Sequence, residues 1–322
     1  MLIRLPRDQA EAILGAMRAV ALAHGAGGVS EADRATIDGA ATIVLGLDGA
    51  ELDELPSVAP EALADRLEGS EEAAQAVRML AVMSLADGVA DPDKTELVRA
   101  YAAALDVRDG YLDILTEVAA DEVAQASACM MRKNVESFPN LDAARLADGP
   151  LAPFLPYRDA PDPELEARYE LLGELPAASF GRAFYDHFKR NEFAFPGSPA
   201  ALAEGFTTPH DSSHVISGYS TSQAGEICVS TFIGAMHPDH PMAAEVLPVL
   251  YSWHLGIRLN DVAGSYRGAY EPRRFWTAWD RGAATTVDVV DAGWDFWAAT
   301  ETPLEELRVE YGVPPADADL LV

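Results

Sequence analysis

The stretch FTTPHDSSHVISGYSTSQAGEICVSTFIG, Phe206–Gly234, decides how this chain is read. Its apolar residues do not alternate as those of a half-buried strand would. Thr208-Pro209 carries a helix-start signal, with Thr208 as N-cap and Pro209 as first helical residue. Gly218 and the polar run STSQAG then turn the chain, and Glu226 opens a second helix that continues into ICVSTFIGAM. The predicted local structure is helix, turn, helix.

The same reading extends outward. EAILGAMRAVALAHG and AQAVRMLAVMSLADG space their apolar residues as helices do, and they head two loosely similar repeats. In the second repeat Asp91 is a natural N-cap and Pro92 a natural first residue. Towards the C-terminus, LPAASFGRAFYDHFKRNEF, AEVLPVLYSWHLGI, PRRFWTAWDRGAATTVDVVDAGWDFWAAT and TPLEELRVEYG also read as helices. In the last of these Thr302 caps, Pro303 opens, Glu305 closes a capping box and Gly312 ends the helix. The expected fold class is all-α.

Aromatic residues divide the chain. Up to residue 125 only Tyr101 and Tyr111 occur, whereas all five tryptophans follow residue 250. The proline-rich segment Phe138–Glu164 is the natural linker. Two helical domains are therefore expected, over residues 1–125 and 140–322.

Charge limits the partners. The 322 residues carry 52 acidic against 23 basic side chains, a formal net charge of -29, with only Lys94, Lys133 and Lys189 as lysines. Such a surface repels nucleic acid and anionic lipid headgroups, so no nucleic-acid partner is expected and membrane contact would be peripheral. Cys129 and Cys228 lack metal-type spacing and read as thiols of a reducing compartment. With no signal-type segment and no apolar run of about 18 residues, a cytoplasmic protein is expected.

Chemistry concentrates in the opening stretch. At 100° per residue, His210 lies at 0°, His214 at 40° and Asp211 at 100°, all in one quadrant of the helix. Imidazoles at i and i+4 stand close enough for one metal ion to bridge. Glu226 could fold back as an oxygen ligand. Against this, Asp211 also occupies a capping-box position and Glu226 also suits a helix N-terminus. Two histidines and an acid leading into an apolar run nevertheless point to a metal, because an acid entering such a core needs a partner.

These residues carry two resemblances. LADGVADPDKTELVRAYAAAL, within residues 8–125, resembles the TerB-like tellurite-resistance family of small helical bundles. That resemblance implies a divalent cation at the acidic turn of Asp87, Asp91, Asp93 and Glu96, which otherwise reads as solvated caps.

His210-Asp211-x-x-His214, eleven residues and Glu226 resemble the signature of the coenzyme Q biosynthesis protein 4 family. LGELPAASFGRAFYDHF, Gly218-Tyr219, Gly225-Glu226 and PLEELRVEYGV agree with it, across roughly residues 140–322. Ser212-Ser213 stands where that family carries bulkier residues.

By this resemblance His210, Asp211, His214 and Glu226 would ligate Zn2+, with Fe2+ as the alternative, in a helical bundle with an apolar channel. The implied activity is loss of the C1 carboxyl of a prenylated hydroxybenzoate in ubiquinone formation. The implied partners are a prenylated lipid or quinone precursor and other biosynthetic enzymes. A non-catalytic prenyl-lipid scaffold, a zinc hydrolase and a non-haem iron oxygenase remain as alternatives.

Other groups read as structural. Arg258, Arg267, Arg273, Arg274 and Arg281 suit salt bridges, His237 a loop, and Trp276, Trp279, Trp294 and Trp297 a core.

Overall fold

Capping chemistry starts the helices of this chain where the sequence supplies it. Ser30 and Asp33 form a reciprocal capping box, and Asp91 accepts from the backbone N–H groups of Asp93 and Lys94 ahead of a helix that opens on Pro92. Ser179 and Ser222 do the same for the helices that follow them.

The computed structural model describes residues 5–23, 28–47, 55–67, 69–259 and 264–321. Among them the chain is all-α, with two isolated β-bridges, Ser179 with Pro303 and Leu255 with Arg267. The helices are α1 (Arg7–Leu22), α2 (Glu31–Gly39), α3 (Pro60–Ala64), α4 (Ser70–Met83), α5 (Pro92–Ala104), α6 (Tyr111–Ala119) and α7 (Val123–Ser137). They continue with α8 (Pro163–Glu170), α9 (Phe180–Arg190), α10 (Glu204–Ser217), α11 (Gln223–Met236) and the short α12 (Leu247–Val249). The last are α13 (Pro272–Ala284), α14 (Phe296–Ala299) and α15 (Leu304–Glu310). Pi-helical turns over Pro241–Val246 and Leu250–His254 flank α12. No helix of the described residues is long and apolar enough to cross a membrane.

The chain divides into two compact units: Met1–Met130 with Val246–Asp280, and Met131–Glu245 with Arg281–Val322. In sequence terms this differs from halves at 1–125 and 140–322, because residues 246–280 belong with the N-terminal segment.

In the first unit α1 packs on α4 and α2, while α3, α4 and α6 pack on α5. Ile13, Met17, Val77, Leu80, Val98 and Trp276 are fully buried there. Trp276 donates its indole N–H to the Thr36 carbonyl at 2.9 Å. Lys94 is also fully buried, its ammonium 2.7 Å from Asp87 and 3.3 Å from Asp33. Asp91 is spent on the cap of α5. At the acidic turn, where the resemblance implied a divalent ion, the Lys94 ammonium thus pairs with Asp87.

In the second unit α10 is central and packs on α9, α11 and α15. Its start corrects the sequence reading. The helix begins at Glu204, and Pro209 lies inside it. Thr208 does not cap, because its hydroxyl bonds the Tyr169 hydroxyl at 2.6 Å. Pro209 lacks the N–H that would reach back to Gly205 and sets its ring against that carbonyl, a cost that proline escapes only in the first turn of a helix.

The far end of α10 follows the sequence. Gly218 adopts φ 85°, the left-handed conformation that closes a helix without a side-chain clash. Arg308 donates to the Val215 and Ile216 carbonyls and Arg281 to that of Ser217, satisfying oxygens the helix leaves orphaned. At α15 the expected capping box is not formed: Pro303 flanks the helix without a side-chain cap, although Gly312 (φ 68°) does follow its end.

The expected linker is packed rather than free. Phe138 and Phe154 are buried, and both rings contact Phe206 of α10, at 4.9 and 5.3 Å between centroids.

Candidate metal centre

His210, His214 and Glu226 converge. One ligand atom from each lies within 4.8 Å of the others, the only such group of three among the described residues. A Glu226 oxygen stands 3.6 Å from His210 Nε2, and its other oxygen stands 3.5 Å from His214 Nε2. Donors bound tetrahedrally at about 2.1 Å from one zinc ion lie about 3.4 Å apart. The donor set and its spacing fit a divalent transition metal.

Each member of the cluster is positioned from behind. His214 is buried, and its Nδ1 lies 2.9 Å from the Tyr219 carbonyl, an oxygen that can only accept. Nδ1 therefore bears a proton, which leaves Nε2 turned towards Glu226. The His210 ring stacks on Phe206 at 5.2 Å and meets His214 edge-on at 5.0 Å. The buried segment around Phe138 and Phe154 thus backs His210 through Phe206. Glu226 lies in the first turn of α11, behind the Ser222 cap.

Charge at the cluster is coupled. Burial pushes the Glu226 carboxyl up, but hydrogen bonding and charge from His210 and His214 outweigh this and hold it well below the usual carboxylate range. Burial pushes His210 down, yet Glu226 more than reverses this and lifts the imidazole to about 9. A metal ion would take the place of that proton. The His210 and Glu226 side chains keep 15% and 22% of their surface, whereas His214 keeps 1%, so the cluster is open on one side.

Asp211 is placed differently from the other three. Its carboxylate lies 2.8 Å from His187 Nε2, and both residues are buried. His187 comes from α9 and stacks against His214 at 5.4 Å. It thus links the expected fourth ligand to the back of an actual cluster member. Sequence reasoning missed His187, since a lone histidine on an amphipathic helix carries no spacing signal.

Glu245 was missed too. It is 3% exposed, and one carboxyl oxygen, Oε1, has no hydrogen-bond partner. Burial lifts it to about 7, against the opposing influence of His210 and His237. Its sequence signal was an acid set between AA and VLPVL. His237 ends α11, and its Nδ1 lies 2.7 Å from Asp288 rather than near Glu226.

The apolar runs expected to line a channel are core residues. Ile227, Val229, Phe232 and Ile233 are buried in one unit, Leu247, Leu250 and Tyr251 in the other. Two cavities, of about 530 and 590 Å³, lie elsewhere: one beside Asp288, Trp294 and Tyr311, the other beside Arg99 and Arg108. The arginines singled out by sequence scatter in role. Arg281 holds the end of α10, and Arg274 pairs with Glu271 at 3.8 Å.

Neither a scan against protein-family models nor a search of curated proteins returns a match for this chain.

Proposed function

We propose that this protein is a metal-dependent enzyme that removes the C1 carboxyl of a prenylated hydroxybenzoate-type precursor in quinone or isoprenoid lipid synthesis. The observation that carries the reading is the three-donor cluster of His210, His214 and Glu226, open on one side. Two histidines and one carboxylate leave a coordination position for a ligand, as catalytic sites do and saturated structural sites do not. Bound there, Zn2+ or Fe2+ would supply a Lewis-acidic centre that holds a carboxylate and stabilises negative charge.

The protein side chains do the rest. Tyr219 fixes the His214 tautomer, Phe206 holds the His210 ring, and the His187–Asp211 pair backs His214. The substrate class comes from the resemblance of residues 140–322 to the coenzyme Q biosynthesis protein 4 family.

Elemental analysis of the purified full chain should find about one transition-metal ion per molecule. His210→Ala and His214→Ala should each remove most of it. A carboxyl-labelled prenylated 4-hydroxybenzoate should then release labelled carbon dioxide with the loaded protein and not with either variant. Saturable binding of that compound without release would make the protein a prenyl-lipid scaffold. Full metal occupancy in the double histidine variant would move the site elsewhere.

A further inference from the structure

One imidazole outside the cluster touches two residues of α10. His187 Nε2 lies 2.8 Å from an Asp211 carboxylate oxygen, which accepts, so Nε2 bears a proton. The same ring stacks on His214, with centroids 5.4 Å apart and planes 27° apart. Asp211 and His214 are i, i+3 neighbours on one face of the helix, and His187 lies against both.

The His187 ring is held from its own side. It sits in the last turn of α9, edge-on to Phe188 and Phe193 at 6.0 and 5.9 Å between centroids. The His187 carbonyl accepts from the Asn191 side chain at 2.8 Å, and Asn191 Oδ1 accepts from the Thr221 hydroxyl at 2.9 Å. Thr221 belongs to the turn between α10 and α11, which also brings the Tyr219 carbonyl to His214. One turn therefore anchors both the ring that meets Asp211 and the ring that meets Glu226.

Asp211 is 7% exposed, and a carboxylate so buried needs a partner. Two partners suit it. One is the His187 N–H, which it has. The other is a divalent ion at the cluster, which takes carboxylate oxygens as well as imidazoles. Asp211 stands outside the three residues whose donor atoms lie within 4.8 Å of one another. Three protein donors leave a tetrahedral ion one position for a ligand, and a fourth would close it. Which partner holds Asp211 thus decides whether the centre is open.

We propose that His187 is the positioning residue that keeps the metal centre open, by holding Asp211 out of the ligand set. This rests on the metal centre of the proposed function and not on its substrate. Without the His187 N–H, the Asp211 carboxylate turns to the ion as a fourth ligand, and the centre no longer takes an outside anion.

The test uses the full chain loaded with Co2+, whose visible spectrum reports its ligands, and azide as the probe anion. Wild type is compared with His187→Phe, which keeps a ring against His214 and removes the donor, and with His187→Phe/Asp211→Asn. Azide should shift the wild-type spectrum saturably and leave that of His187→Phe unchanged. In the double variant the shift should return. By competition with a chelator, His187→Phe should bind Zn2+ at least as tightly as wild type. Loss of an outer hydrogen-bond partner with no new ligand would instead weaken binding by about 10–100-fold.

A His187→Phe centre that still takes azide, or that binds Zn2+ about tenfold or more weakly than wild type, overturns the proposal. So does a His187→Phe chain that stays unfolded with Zn2+ present, because an ion that recruits Asp211 would stabilise the fold. Wild type that binds Co2+ and ignores azide has a closed centre already, which overturns the proposal and leaves the metal site standing. If wild type takes up neither Co2+ nor Zn2+, the metal reading itself falls.

Discussion

His214 Nδ1 lies 2.9 Å from the carbonyl oxygen of Tyr219, five residues along the chain, and this contact decides which nitrogen of the ring faces Glu226. It depends on the turn at Gly218, whose φ of 85° an L side chain adopts only with strain. Gly218→Ala should cost about 1–2 kcal/mol. It should also weaken zinc binding, by roughly tenfold or more, as loss of an outer hydrogen-bond partner does. The substitution touches no ligand, so a zinc titration on folded protein separates orientation from ligation. Unchanged affinity would mean that the ring is held by its packing against His187 instead.

Asp211 poses a different question, because the structure pairs it with His187 at 2.8 Å. Asp211→Asn should retain about one metal ion per chain, since three donors remain. Thermal unfolding should show a loss of roughly 1–3 kcal/mol from the weakened buried pair. The converse outcome, metal lost at constant stability, would identify Asp211 as a fourth ligand that swings onto the ion.

Glu245 links pH to stability with a definite sign. In the unfolded chain its carboxyl has an ordinary value of 4.5, and in the folded protein about 7. Its contribution is complete below pH 4.5, declines as the unfolded form ionises first, and is gone once pH passes about 7. The full difference is on the order of 3 kcal/mol. For metal-free protein, the stability of Glu245→Gln relative to wild type should therefore rise across this window and level off above it. Denaturant unfolding at several pH values checks this, and a flat difference would mean that Glu245 is ionised when folded.

Much of the helical fold was legible because its signals are local. Asp91 before Pro92, and Gly218, act within a few residues of themselves, and they perform as read. The shared face of His210 and His214 follows from helix geometry alone, and it survives a start at Glu204 instead of Thr208. Thr208-Pro209 misled because a proline inside the helix looks the same in sequence as one at its start. What resolves the ambiguity is the Tyr169 hydroxyl, 39 residues away.

The remaining site residues arrive from elsewhere. His187 comes from α9, and nothing in its own segment announces a partner on α10. Lys94 could have been foreseen in part, as the one lysine among four nearby acids. That Asp33 would join Asp87 around it, 61 residues from the lysine, could not.

Residues 246–280 bear on where the chain can be cut. Trp276 is fully buried in the unit that contains Thr36 and Gly39. It donates to the Thr36 carbonyl at 2.9 Å, and a Cβ on Gly39 would stand 2.7 Å from its ring. The sequence reading expects residues 140–322 to fold alone, yet that fragment carries Trp276 without either partner. Truncating a buried tryptophan costs about 3–5 kcal/mol, and stranding one in solvent forfeits comparable burial. The fragment should therefore show red-shifted, quenchable tryptophan emission and a broadened unfolding transition. A second fragment, residues 131–322 with 246–280 replaced by a long flexible Gly/Ser linker, keeps His210, His214, Glu226, Glu245 and Asp288. It should unfold cooperatively and bind about one zinc ion. If the first fragment folds sharply and the second does not, residues 246–280 belong energetically to the metal-binding half, and the boundary expected from sequence is the right one.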